Sequence, residues 1–196
     1  MTTIGITGPT GAGKSTFLLE VERLGGVVID CDKVYHGLLE GDFTLQKRLE
    51  DTFGSLRDEV GHIDRKKLGQ IVFHNPDKLE MLNAIAWKAV VDQVYNLLEE
   101  GQKEGKTLAA IDAIALLESP LKKLCKLTVA VLASPETRVR RIMARESISA
   151  DYAWARVKSQ QPDEYFSQNC DYVLVNDFAS PEEFAQRSRN FLEEIL

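Results

Sequence analysis

The stretch IGITGPTGAGKSTFLLEVERL, residues 4–24, constrains the fold of this chain more than any other. Ile4, Gly5, Ile6 and Thr7 make a short β-prone run. From Gly8 the chain fits G-x-x-x-x-G-K-[ST], with Gly8, Gly13, Lys14 and Ser15 at the defining positions. Apolar residues then recur at Phe17, Leu18, Val21 and Leu24, the spacing of one helical face. A glycine loop between a strand and a helix is the context in which this pattern cradles phosphate. Backbone N–H groups turn inward, and the helix N-terminus adds partial positive charge. Lys14 is expected to reach the β- and γ-phosphates, and the Ser15 hydroxyl to bind Mg²⁺.

Four further runs read as strands. Val27-Val28-Ile29 ends in Asp30, and Thr107–Ile111 ends in Asp112. Leu127–Leu132 is an apolar, β-rich run, and Tyr172–Val175 ends in Asn176. Apolar strands separated by helical stretches imply an α/β fold: a five-stranded parallel sheet with helices on both faces. Ligands of such sheets bind at the carboxyl ends of the strands, where Thr7, Asp30, Asp112 and Asn176 fall. Asn75-Pro76, Ser134-Pro135 and Ser180-Pro181 each read as a helix start, the last with Glu183 spaced as a capping box. Gly101 is expected to stop the helix begun at Asn75.

Residues 33–106 read almost wholly helical, far more than one crossover requires. A second excursion, about 146–170, separates the last two strands. The expected organisation is a core of 1–32 and 107–196, a helical insertion at 33–106 and a small lid at about 146–170. A P-loop core with two excursions suits a small-molecule kinase, one excursion covering the acceptor and the other closing on ATP.

The chain has 196 residues and a net charge of −6, which argues against general nucleic-acid or membrane-surface binding. No apolar run is long enough to span a bilayer, and no basic-then-apolar leader is visible. Cys31, Cys125 and Cys170 are odd in number and widely spaced, so reduced thiols in the cytoplasm are expected. No obligate protein partner is evident.

Phosphoryl transfer needs positioned phosphates, Mg²⁺, cations on developing charge and a group to orient the acceptor hydroxyl. Asp30-Cys31-Asp32 offers the last: if the strand continues, the two aspartates project to one side. The alternative is that Asp32 caps a helix beginning at Lys33. Arg138, Arg140, Arg141 and Arg145 follow the fourth strand, and Arg141 and Arg145 share a helical face. They either grip phosphate or form a solvated basic face. His36 lies four residues after Asp32 and either lines the same cleft or is an ordinary histidine.

Together the motifs resemble the dephospho-CoA kinase family over nearly the full chain. GITGPTGAGKST resembles its opening loop, VIDCDKVYH its D-x-D element, and GHIDRKKLGQIVFHNPDKLEMLNAI its middle segment. AIALLES resembles P-L-L-x-E, SPETRVRRIMARE resembles R-x-x-R-D, and SQQPDEYFSQNCDYVLVND its closing segment with Gln and a terminal Asn. The resemblance implies ATP and Mg²⁺ as cofactors and dephospho-CoA as acceptor, phosphorylated at its ribose 3′-hydroxyl. It implies Asp32 as general base and Gly11, Ala12, Gly13, Lys14, Ser15 and Thr16 as phosphate and Mg²⁺ contacts. Arg141 and Arg145 match lid-proximal positions, Glu118 the acidic acceptor-side residue, Leu116 and Leu117 wall residues, and Asn176 a residue near the adenine. The chain departs from the family pattern at Ile114, Glu146 and Trp87-Lys88, and residues 157–186 contain no arginine. The rival readings are another P-loop nucleotide or nucleoside kinase and a P-loop regulator that binds nucleotide without turnover.

Overall fold

The computed structural model describes residues 1–196. Its strands are β1 (Thr2–Thr7), β2 (Val27–Asp30), β3 (Leu108–Asp112), β4 (Leu127–Leu132) and β5 (Tyr172–Val175). They form one sheet in the order β2-β3-β1-β4-β5, and the β1–β3, β1–β4 and β4–β5 pairings are parallel. The helices are α1 (Lys14–Arg23), α2 (Cys31–Gly41), α3 (Phe43–Phe53), α4 (Arg65–Val72), α5 (Pro76–Lys103), α6 (Pro135–Glu146), α7 (Ala150–Lys158), α8 (Asp163–Asn169) and α9 (Pro181–Ile195).

Strand side chains alternate between two covered faces. Ile4, Ile6, Val129 and Val131 pack with Phe17 and Val21 of α1 and with Phe184, Phe191 and Leu192 of α9. Ala130 and Leu132 point the other way and meet Phe166 of α8. Burial on both faces is why β1, β3 and β4 read as apolar runs, whereas in the edge strand β5 only Leu174 is buried. The α1–α9 contact also holds the buried carboxylate of Glu20, which accepts from Arg189 Nε and NH2 at 3.0 and 2.8 Å and from Arg23. At the start of α9 the expected capping box forms between Ser180 and Glu183.

Residues divide into two compact units, Met1–Ile29 with Leu98–Leu196, and Asp30–Leu97. The second has its own core of Leu39, Leu45, Leu49, Leu56, Ile63, Leu68 and Val72. It is not wholly helical. Between α3 and α4 the chain forms a loop with an antiparallel bridge between Arg57 and Ile63, and Asp58 Oδ1 accepts from the Val60 and His62 N–H groups. Asp64 then caps α4 through the Lys66 and Lys67 N–H groups.

Two expectations about helix ends need correction. Gly101 does not stop α5, which runs on to Lys103. A Cβ on Gly101 would come within 3.0 Å of Val27, so the glycine serves close packing. The chain turns instead at Gly105, where φ is +78° and the Lys106 N–H donates to the Gly101 carbonyl. The other correction concerns Asp32. β2 ends at Asp30, α2 begins at Cys31, and the cap is Asp30, whose Oδ1 accepts from the Lys33 N–H at 3.1 Å. Asp32 therefore lies inside the first turn, and the strand does not continue to place both aspartates on one side.

Candidate active site

The loop from Gly8 to Gly13 leads from β1 into α1, and Gly13 is the residue before the first helical turn. At Gly8 and Gly13 no other residue fits. Their φ values are +132° and +106°, and a Cβ would fall 2.2 Å from the Val131 carbonyl oxygen or 2.1 Å from Asn176 Nδ2. Lys14, Ser15 and Thr16 form the first turn of α1. The Lys14 ammonium donates to the Gly8 carbonyl at 2.7 Å and so lies back along the loop.

The loop is gripped by its carbonyls. Arg138 Nε donates to Thr10 O at 3.1 Å. Arg141 NH1 donates to Gly11 O and Ala12 O, each at 3.3 Å. Asn176 Nδ2 donates to Ala12 O at 2.7 Å, and Asn176 Oδ1 accepts from Arg141 NH2 at 3.2 Å. In a planar trans peptide the C=O and the following N–H point in opposite directions. Holding Thr10 O and Ala12 O outward therefore turns the Gly11 and Gly13 N–H groups to the other side, which is the geometry of an anion nest. Burial lowers the Arg138 and Arg141 guanidinium pKa values from the ordinary value, and for Arg141 the neighbouring Arg140 charge adds to this. Both still carry their charge near neutral pH.

The arginines of α6 thus separate. Arg138, only 3% exposed, and Arg141 face the loop. Arg145 does not: its NH2 donates to Glu146 Oε1 at 2.6 Å on the exposed side. Glu146 also accepts from Arg156 of α7, and the two arginines, Arg145 first, hold its carboxyl below the usual range. Asn176, expected near the adenine, has its side-chain amide committed to the loop and to Arg141. Sequence reasoning missed Arg138 and Gln160 as loop contacts. Gln160, in the turn between α7 and α8, bonds both Thr10 and Arg138. Helical spacing offers Arg141 two equivalent neighbours, Arg138 and Arg145, and only the seating of α6 chooses between them.

Asp112 ends β3, in register with Ile6 of β1. Its carboxylate, like the Ser15 hydroxyl, is a hard oxygen donor of the kind that Mg²⁺ takes. The sequence placed Asp112 at a strand end without giving it that role. Leu116 is fully buried after β3. Glu118 Oε1 accepts from the Tyr165 hydroxyl of α8 at 2.5 Å, and that bond, with burial, pushes the phenol up to about 12.

In the helical unit, Asp32 and His36 stand four residues apart on α2 and share a face. His36 lines a cleft of about 320 Å³ with Leu39, Glu40, His62, Ile63 and Arg65. Burial acts to raise the Asp30 carboxyl, but its bonds and charge pairing with Lys33 outweigh that and hold it below the ordinary value. Trp87 is half-buried on α5, and Lys88 pairs with Asp92 at 3.3 Å.

A parallel sheet in this order, a glycine loop opening α1 and basic residues of α6 braced on that loop define a P-loop kinase. The family model for dephospho-CoA kinase matches residues 2–182. The dephospho-CoA kinase of Bacillus anthracis is 35% identical over 175 residues, 89% of this chain and 88% of that one. Among solved structures, TT1252 from Thermus thermophilus superposes with a TM-score of 0.80 at 28% identity, covering 100% of this chain and 97% of that one. Dephospho-CoA kinase from Campylobacter jejuni does so at 0.68 and 25% identity, covering 98% and 96%. This chain belongs to the dephospho-CoA kinase family and is an ATP-dependent phosphotransferase.

Proposed function

We propose that this protein transfers the γ-phosphoryl group of ATP to the ribose 3′-hydroxyl of dephospho-CoA, as a cytoplasmic enzyme. The observation that carries the reading is the loop pinned by its carbonyls, with the Gly11 and Gly13 N–H groups turned to the opposite side, in a chain of this family. Those N–H groups and the α1 N-terminus bind the phosphates. Lys14 turns its ammonium from the Gly8 carbonyl to the β- and γ-phosphates. Ser15 and Asp112 would hold Mg²⁺, which would offset the negative charge of the phosphates. Asp32 takes the proton of the 3′-hydroxyl as its oxygen bonds to the γ-phosphorus and the bond to the β–γ bridging oxygen breaks. Arg141 meets the charge that develops on the transferring group, and Arg145 joins it only by leaving Glu146 as the lid segment closes.

The helical segment at 33–106 receives the acceptor, with His36 contributing a contact. The segment at about 146–170 closes over ATP and excludes water. The experiment is direct: purified protein, Mg-ATP and a panel of dephospho-CoA, adenosine and other nucleosides, scored for ADP release and for the product by phosphorus NMR. The expected result is turnover with dephospho-CoA and a new 3′-phosphomonoester signal. Faster turnover of a nucleoside would replace this reading with that of a nucleoside kinase.

A further inference from the structure

Gln160 makes three polar contacts that no motif of the loop anticipates. Its Oε1 accepts from the Thr10 N–H at 3.2 Å and from Arg138 NH2 at 2.5 Å. Its Nε2 donates to Thr10 Oγ1 at 2.7 Å. Arg138 Nε in turn holds Thr10 O. Thr10 is therefore bound at its N–H, its hydroxyl and its carbonyl by one pair of side chains, Gln160 and Arg138. Arg138 is also 4.0 Å from Asp163, the first residue of α8.

Thr10 needs such bracing for a physical reason. It lies between Gly8 and Gly11, both at positive φ, where the backbone has unusual freedom. The direction of the Gly11 N–H depends on that of the Thr10 carbonyl, since one peptide plane carries both. A loop that must aim N–H groups at phosphate gains from having this plane fixed before the ligand arrives. We propose that Gln160 is a positioning residue for phosphoryl transfer: it orients Thr10 and Arg138, and so ties the α7–α8 turn of the lid segment to the phosphate loop. The proposal rests on the reading of that loop as the ATP site. Gln160 itself touches the loop from behind and makes no contact with the reacting atoms.

A double-mutant cycle with a conservative rescue tests it. Wild type, Gln160→Leu, Thr10→Val, the double variant and Gln160→Glu are compared for ATP affinity by calorimetry, for kcat and KM of both substrates, and for thermal unfolding. Gln160→Leu keeps the size and removes all three contacts, and should lower kcat/KM for ATP about tenfold to a hundredfold with KM for the acceptor unchanged. Thr10→Val removes only the hydroxyl contact and should cost several-fold in the wild-type background but nothing more in the Gln160→Leu background, because the partner is already gone. Gln160→Glu keeps an acceptor for the Thr10 N–H and Arg138, and the Thr10 hydroxyl can reverse to donate. It should return activity to within a few-fold of wild type. Wild-type ATP affinity and kcat in Gln160→Leu would overturn the proposal. So would an equal Thr10→Val penalty in both backgrounds, with losses that follow only the melting temperature. A wild-type enzyme that bound ATP yet phosphorylated no CoA precursor would remove the acceptor reading, and the ATP affinities of the variants would still decide this one.

Discussion

Replacing Gly13 by alanine separates two costs that are usually confounded. At φ +106° an alanine sits in left-handed backbone, which costs about 1–2 kcal/mol for an L-residue. Its Cβ would also lie 2.1 Å from Asn176 Nδ2, where no atom can remain. Asn176 must move and lose its 2.7 Å bond to Ala12 O, at about 1 kcal/mol. Together these come to about 2–3 kcal/mol, and a chain of this size loses about 2–4 °C in Tm per kcal/mol. The expected fall is about 4–12 °C, with ATP affinity reduced at least about tenfold because the loop loses its brace. Gly25→Ala supplies the control. Gly25 is also left-handed, at φ +77°, but an added Cβ meets nothing within 4 Å, so only the backbone term applies. Urea unfolding of both variants gives the difference directly, and calorimetry gives ATP binding. Asn176→Ala removes the obstructing amide, so the two costs should be non-additive in Gly13→Ala/Asn176→Ala. If Gly13→Ala is as stable as Gly25→Ala and binds ATP normally, the account of the loop as braced through Asn176 is wrong.

Four further outcomes are expected. Lys14→Ala should abolish transfer in a protein that still folds, checked by steady-state kinetics beside a thermal melt; near-normal turnover would remove the phosphate role of the loop. Asp32→Asn should lower kcat about 100-fold with little change in ATP affinity or Tm, since the cap of α2 is Asp30; Asp30→Ala should instead cost about 1 kcal/mol of stability in urea unfolding. Arg145→Ala should lower kcat more than it raises the acceptor KM, and an unchanged kcat would make Arg145 a surface residue held by Glu146. Asp171 Oδ2 accepts from the Thr128 N–H and hydroxyl at 2.7 and 2.8 Å, and these bonds, the hydroxyl first, hold its carboxyl below the ordinary value. A depressed carboxylate pKa stabilises the fold above the unfolded value of about 4, and that contribution is lost as pH falls through the folded value. Asp171→Asn should therefore cost about 1 kcal/mol or less at pH 7, given its exposure, with the difference from wild type closing in acid; an equal difference at pH 3 and pH 7 would refute the assignment.

Local chemistry was legible in the sequence. Apolar runs mark all five strands, four of them with glycine, aspartate or asparagine at the carboxyl end, because strands covered by helices have no polar alternation to hide them. Ser180 and Glu183 mark the start of α9, because a capping box is closed within four residues. Gly8, Gly13, Lys14 and Ser15 mark the loop for the same reason of short range. What lies beyond one turn was not legible. Whether Asp30 or Asp32 caps α2 depends on where β2 ends, and both residues suit either place. Arg141 has Arg138 three residues before it and Arg145 four residues after it, and periodicity treats the two alike. Val139 and Ile142 bury one side of α6, and that seating turns Arg138 and Arg141 to the loop while Arg145 is left to Glu146. The bond from Gln160 to Thr10 spans 150 residues of sequence, and no local spacing encodes it. Hydrogen-bond partners so far apart are chosen by the packing that brings them together, which exists only once the sheet, α6 and the α7–α8 turn have assembled.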